Sequence, residues 1–307
     1  MSLGTTVEPT RNPAAPALDL TNLTHPDIRV ILDWPDSFVQ PLKQRLLALH
    51  HRTPSAGNNL PELAAHHLWD ESRQQPTPLG ERLIDLIVHE HWQEGDELGT
   101  FLQMGSDRLA GTILEIGSST AWAIRALNFP PTATRIGIDV DQHAIALGYR
   151  LAQQEHQPIR LQCCSAHALP FPDCSIDWII CRNAITYMHQ RTVIREMGRV
   201  LKPGGYAFIR FANVFYDLSN LFSYRSLKTT LGAWRDFTYG TVHALTGCQP
   251  VPGSLLRGAR AFGTLRRLTQ MLRAIHCQIL HVTPSLCCPR FLSHPTQTSL
   301  LARKSQP

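Results

Sequence analysis

The chain has 307 residues, 43% of them hydrophobic and 17% charged, the proportions of a water-soluble globular protein with room for about two domains. No stretch of about 18 apolar residues occurs, which excludes a spanning helix. The net charge of +5 hides an asymmetry: from Arg199 onward 14 Lys/Arg face only Asp217 and Asp236, a net of +12, and residues 1–198 carry −7. A basic C-terminal third suits an acidic ligand, an anionic surface, or a lid over the acidic half.

In chain order, residues 1–40 read as an irregular leader, punctuated by Pro9, Pro13 and Pro16. The start lacks a charged segment followed by an apolar one, so a cytoplasmic location is expected. The eight cysteines are then expected as free thiols. Neither Cys163-Cys164 nor Cys287-Cys288 has a CxxC partner or a spaced histidine, and His89 and His91 stand two apart on a helical pattern, so no metal site is expected. Residues 41–110 form a helical cap: Leu42, Leu46, Leu47 and Leu49, then Leu79, Leu83, Ile84, Ile87 and Val88 recur at spacings of three and four. Thr77-Pro78 supplies an N-cap followed by proline at the first helical position, and Gly95 and Gly99 interrupt the pattern beyond.

At Gly111 the periodicity changes. TILEIG, RIGID, IRLQC, IDWIIC and YAFIRF are five short strands, and Ala121–Leu127, Ala144–Ala152 and Thr192–Leu201 are helices between them. That alternation predicts an α/β fold, a Rossmann-like, doubly wound parallel sheet over residues 111–211. Residues 212–263 break it and read as a basic, aromatic insertion. Leu218, Leu221, Phe222, Arg225, Leu227, Lys228, Leu231, Trp234, Arg235 and Phe237 there suggest an amphipathic helix. Over 264–307, Thr264 caps LRRLTQMLRAI, and QILHVTP and TSLLARK bring the sheet to seven strands.

In such a sheet, ligands sit outside the carboxyl ends of the strands. Two features fall there: the small-residue turn Glu115-Ile116-Gly117-Ser118-Ser119-Thr120-Ala121, and Asp139, a carboxylate placed to accept from a ribose diol.

The runs LEIGSSTA, GIDVD, CSAHALPFPDCSIDWIIC and REMGRVLKPGG resemble the class I S-adenosylmethionine-dependent methyltransferases, in particular the group acting on small molecules and lipids. The likeness covers about a hundred residues, and ALPFPD, SIDWII and LKPGG are more specific than the glycine loop. It implies S-adenosyl-L-methionine as cofactor, with Gly117 and Ser119 at its amino-acid end, Asp139 and Val140 at its ribose, and Ser165 and Ala166 flanking its adenine. Serine replaces the aspartate common at position 165 and makes a weaker version of the same contact. Glu115 matches the acidic residue ending the first strand, which acts near the sulfonium or orders the loop, and Cys181, Arg182 and Asn183 follow the fourth strand, where the methyl group meets its acceptor. The departure is at Ser119 and Ala121, where the family has glycine.

Methyl transfer asks chiefly for alignment. If the acceptor needs a base, Tyr187 and His189 stand nearest by position. CRNAITYM is neither the Asn-Pro-Pro-Tyr turn of amine and amide methylation nor the Pro-Cys of cytosine methylation. The expected acceptor is therefore a small organic, glycan-linked or lipid-like molecule. A lid over that acceptor or a helix on an anionic membrane surface would account for the insertion. Nucleic acid is disfavoured because no RNA-binding module is recognisable. An inactive binding or scaffolding protein, an RNA-directed methyltransferase and a nicotinamide-dependent oxidoreductase are the competing readings, and the missing third glycine and the LKPGG entrance oppose the last.

Overall fold

The computed structural model describes residues 16–51, 60–92, 110–127, 129–222, 227–247, 249, 259–284 and 290–306. Gly95, Gly99, Arg225, Cys287 and Cys288 lie outside them, as do the side chains of His89, His91, Leu227 and Lys228.

The strands of the sheet are β1 (Ala17–Asp19), β4 (Thr112–Ile116), β5 (Thr134–Asp139), β6 (Ile159–Cys163), β7 (Ile176–Arg182), β8 (Leu201–Ala212), β9 (Cys277–Pro284) and β12 (Gln297–Lys304). Two short ladders pair β2 (Trp69–Asp70) with β3 (Gln75–Pro76) and β10 (Arg290–Phe291) with β11 (His294–Pro295). The order across the sheet is β1-β6-β5-β4-β7-β8-β12-β9, parallel except at β12, which runs antiparallel to both β8 and β9. From β4 the chain builds outward through β5 to β6, then crosses back to β7. The carboxyl ends of β4 and β7 therefore flank the switch point where such sheets open a crevice.

The sequence reading needs one correction here. It expects seven strands and an irregular leader, whereas the sheet has eight, the added one being β1 from within the leader. Three residues bounded by prolines and polar turns carry no period of their own. They become a strand only because the open edge of β6 offers unpaired main-chain groups, in the register Ala17–Arg160, Leu18–Leu161 and Asp19–Gln162.

Ile113, Trp178, Ile180 and Phe208 point to one face of the sheet, and Leu114, Ile116, Ile179 and Ile209 to the other, all essentially buried. The helix Gln142–Gln154 packs Ile145 and Ala152 on the first face. On its outer side Ala144, Leu147 and Leu151 meet Ile28, Ile31, Phe38, Leu83 and Ile87. One helix is thus shared by the sheet and the N-terminal helices. The helix Pro78–Trp92 starts at Thr77, whose Oγ1 accepts from Gly80 N at 3.0 Å, and Thr264 caps Leu265–Ala274 likewise by accepting from Arg267 N. Among its described residues the insertion forms two helices, Val214–Phe222 and Leu227–Thr246.

Candidate active site

A cavity of about 650 Å³ opens at the carboxyl ends of the parallel strands. Gly117, Ser119, Asp139, Val140, Ser165, Ala166, Arg182, Asn183 and Tyr187, all expected from the sequence, line it. The loop after β4 makes its back wall. Gly117 has φ +66°, and a Cβ there would come within 2.2 Å of the Ala184 methyl. Ser119 and Ala121 also adopt left-handed backbone, at φ 51° and 59°, so the turn keeps the conformation that glycine adopts freely but carries side chains in it.

Asp139 ends β5 with both carboxylate oxygens fixed by main chain: Oδ2 accepts from Ser119 N at 2.8 Å and Oδ1 from Asp141 N at 2.9 Å. Asp141 caps the next helix, accepting from His143 N and Ala144 N, and pairs with Arg82 of the N-terminal helix Pro78–Trp92.

Glu115 does not reach the cavity. It is 1% exposed and pairs with Arg182 at 3.3 Å, and the Arg182 guanidinium lies 5.0 Å over the Trp122 ring. Burial raises its carboxyl to about 7, with the Arg182 charge opposing, and its Oε2 has no hydrogen-bond partner. Of the two places expected for it, Glu115 takes the one beneath the cavity floor, joined to the wall through Arg182.

Ser165 accepts from both the main-chain N and the ring of His167, at 3.3 and 3.0 Å. The assignment of protons follows from His189, whose backbone N donates to His167 Nε2 at 3.0 Å. That nitrogen is therefore the acceptor and Nδ1 carries the hydrogen. Burial, with His189 adding, lowers the His167 pKa and favours this neutral form. With two hydrogen bonds accepted, the Ser165 hydroxyl is left to donate. This polarity is opposite to that of an accepting aspartate.

His189 is absent from the cavity wall, and its ring Nδ1 turns to Thr192 Oγ1 at 2.8 Å. Tyr187 lines the cavity and is 61% exposed; desolvation raises its phenol pKa, against the Arg260 charge.

Tyr216 and Arg260 complete that end of the cavity. The Arg260 guanidinium lies 4.3 Å from the Tyr216 ring centroid and 6.0 Å from that of Tyr187. It pairs with buried Asp217 and approaches Asp236 at 4.0 Å. Burial raises Asp217 to about 6, with Arg260 opposing. His167, Tyr216 and Arg260 escape the sequence reading. A sign of Arg260 was present, because the two acidic residues that follow Arg199 both converge on it.

The family described as Methyltransferase domain matches residues 114–209. Those residues are a methyltransferase domain. An uncharacterized methyltransferase of Bacillus subtilis, YcgJ, is 34% identical over 115 residues, 36% of this chain and 45% of that protein. A demethylmenaquinone methyltransferase of Listeria monocytogenes is 30% identical over 130 residues, 40% of this chain and 52% of the other. A mitochondrial 2-methoxy-6-polyprenyl-1,4-benzoquinol methylase of Caenorhabditis elegans is 35% identical over 98 residues, 30% of this chain and 34% of that one. The chain spans about half the length of the first two, and the methyltransferase domain supplies the β4 to β8 part of the cavity.

Proposed function

We propose that this protein transfers the methyl group of S-adenosylmethionine to a small organic or lipid-like acceptor. The observation that carries the reading is Asp139, a carboxylate on the wall of a large cavity at the switch point, with both oxygens aligned by backbone amides. A carboxylate fixed in this way is a rigid acceptor for a vicinal diol. Bound S-adenosylmethionine supplies an already activated methyl sulfonium. The chain's own residues orient and desolvate. Asp139 holds the ribose, Ser165 donates to a ring nitrogen of the adenine, Arg182 on its Glu115 support lines the wall between cofactor and acceptor, and Tyr187, Tyr216 and Arg260 receive the acceptor.

Two relatives bear names of quinone or quinol methylation. An aromatic, isoprenoid-bearing acceptor fits the two tyrosine faces here, and Leu231, Trp234, Val242 and Leu245 on the insertion helix are exposed apolar groups that suit a lipid-like tail. Calorimetry with S-adenosylhomocysteine tests the cofactor half. Binding is expected in the micromolar range, and Asp139→Ala should weaken it about 10- to 100-fold, since a hydrogen bond to a charged group contributes about 1.5–3 kcal/mol. No binding at millimolar ligand would overturn the proposal. The left-handed Ser119 and Ala121 favour a second reading, a binding protein without turnover. Appearance of labelled methyl groups on any extracted lipid or metabolite would exclude it.

A further inference from the structure

We propose a divalent-metal site of the zinc type, outside the cavity, formed by His25, Asp27 and His143. The sequence gives no hint of it. His25 and Asp27 are two apart in the turn entering a short helix, and His143 lies more than a hundred residues later on the helix Gln142–Gln154. Folding brings one ligand atom of each within 4.8 Å of the others.

Asp27 Oδ2 stands 3.5 Å from His25 Nδ1 and 3.4 Å from His143 Nε2. Both separations exceed the usual hydrogen-bond length of about 2.7–3.2 Å. They match the edge of a tetrahedron around an ion with bonds of about 2.0–2.1 Å, which is about 3.3–3.4 Å. The Asp27 main-chain N points at His25 Nδ1 at 3.3 Å, a long contact that the ion displaces, because this nitrogen has a single lone pair to offer.

The surroundings fix the ligands. Gln142 Oε1 accepts from the main-chain N of Thr24 and of His25, both at 2.8 Å, which seats the turn on the helix. Asp141 Oδ1 lies 3.7 Å from His143 Nδ1, on the side away from Asp27. At that distance Asp141 acts through its negative charge, not through a hydrogen bond, and favours a cation beside the imidazole. Partial exposure of all three ligands leaves an entry path, and a water completes four-coordination. The ion clips the connection after β1 to the helix whose cap, Asp141, borders the cavity.

The test uses the full-length, untagged protein stripped with chelator, titrated calorimetrically with zinc chloride and optically with cobalt chloride. One equivalent is expected to bind, with the visible absorption of four-coordinate cobalt and a rise in Tm that chelator reverses. His143→Gln should weaken binding about 100-fold or more, and Asp141→Asn, which keeps a helix cap but removes the nearby charge, by a smaller factor. His25→Gln, on an exposed turn, repeats the ligand test without touching the helix, and circular dichroism verifies the fold of each variant. Absence of heat at millimolar zinc overturns the site. So does a one-equivalent signal that survives His25→Gln and His143→Gln, because other histidines would then be the ligands.

Discussion

Replacing Glu90 with glutamine asks whether the N-terminal helices hold the loop after β4 in place. Glu90 is 3% exposed on the helix Pro78–Trp92 and gathers three donors: Thr120 Oγ1 at 2.5 Å, Arg125 Nη2 at 2.8 Å and Lys43 Nζ at 3.2 Å. Thr120 belongs to the turn that carries Gly117 and Ser119. Glutamine keeps the shape but offers a single accepting oxygen and sets an NH₂ group against cations. Removing one partner of a buried ion pair costs about 3–5 kcal/mol. Arg125 retains Glu155, a partner whose side chain is 44% exposed, which brings the expected loss down to about 2–3 kcal/mol. For a chain of this size that corresponds to a fall in Tm of about 3–5 °C. Urea and thermal melts read the loss directly. Paired with Thr120→Val, the double-mutant cycle should give a coupling of at least about 0.5 kcal/mol. S-adenosylhomocysteine affinity should fall in Glu90→Gln, because the turn must then be ordered by the ligand. A Tm within about 1 °C of the parent, with additive single changes, would refute the reasoning, since a desolvated network cannot lose its central charge without cost.

The turn itself makes a finer prediction. Relieving a left-handed residue is worth about 1–2 kcal/mol, and the added freedom of glycine in the unfolded chain subtracts about 0.4–1. Ser119→Gly should therefore stabilise by about 0.5–1 kcal/mol in urea melts, whereas Ala121→Gly should be neutral or worse, because Ala121 is fully buried and its methyl contributes about 0.8 kcal/mol. Equal gains from both would contradict this ranking. Stability should also depend on pH through Glu115 and Asp217. Each binds its proton more tightly folded than unfolded, so their contribution is present at low pH and is lost as pH rises, from 4.5 to about 7 for Glu115 and from 3.8 to about 6 for Asp217. The difference between Glu115→Gln and the parent isolates the first window. Relative to the variant, the parent should lose stability between pH 4.5 and 7, and a relative gain there would mean that Arg182 outweighs burial.

The architecture was legible where periodicity and chemistry agree. Buried runs such as TILEI and IDWIICR can only be central parallel strands, and Thr77 and Thr264 announce their helices by capping. Asp139 was legible because a strand end and a carboxylate coincide. β1 was not, because three residues acquire strand character only from the edge they join. Nor were the roles of Glu115, Ser165 and His189. Whether a carboxylate faces a cavity or its floor, whether a hydroxyl donates or accepts, and whether an imidazole turns inward are set by side-chain partners that no spacing announces: the distant Arg182 for Glu115, and the nearby His167 for Ser165 and Thr192 for His189.

The cavity is assembled from three stretches of chain, and this bears on where selectivity resides. Arg82, Asp85 and Leu86 come from the N-terminal helices, Gly117 to Met188 from the methyltransferase domain, and Tyr216, Arg260 and Gln297 from beyond it. Asp139, Ser165 and Ala166 lie inside the matched residues, while Tyr216, Arg260 and Asp217 lie outside them. A shared cofactor half with a private acceptor half is what this division implies. Arg260 is the hinge of the second half. Its charge is neutralised by carboxylates of the helices Val214–Phe222 and Leu227–Thr246, so both helices must be docked for its guanidinium to remain against the tyrosines. An acceptor that contacts Arg260 therefore selects the arrangement in which both insertion helices are closed on the domain, and acceptor binding and closure become one equilibrium.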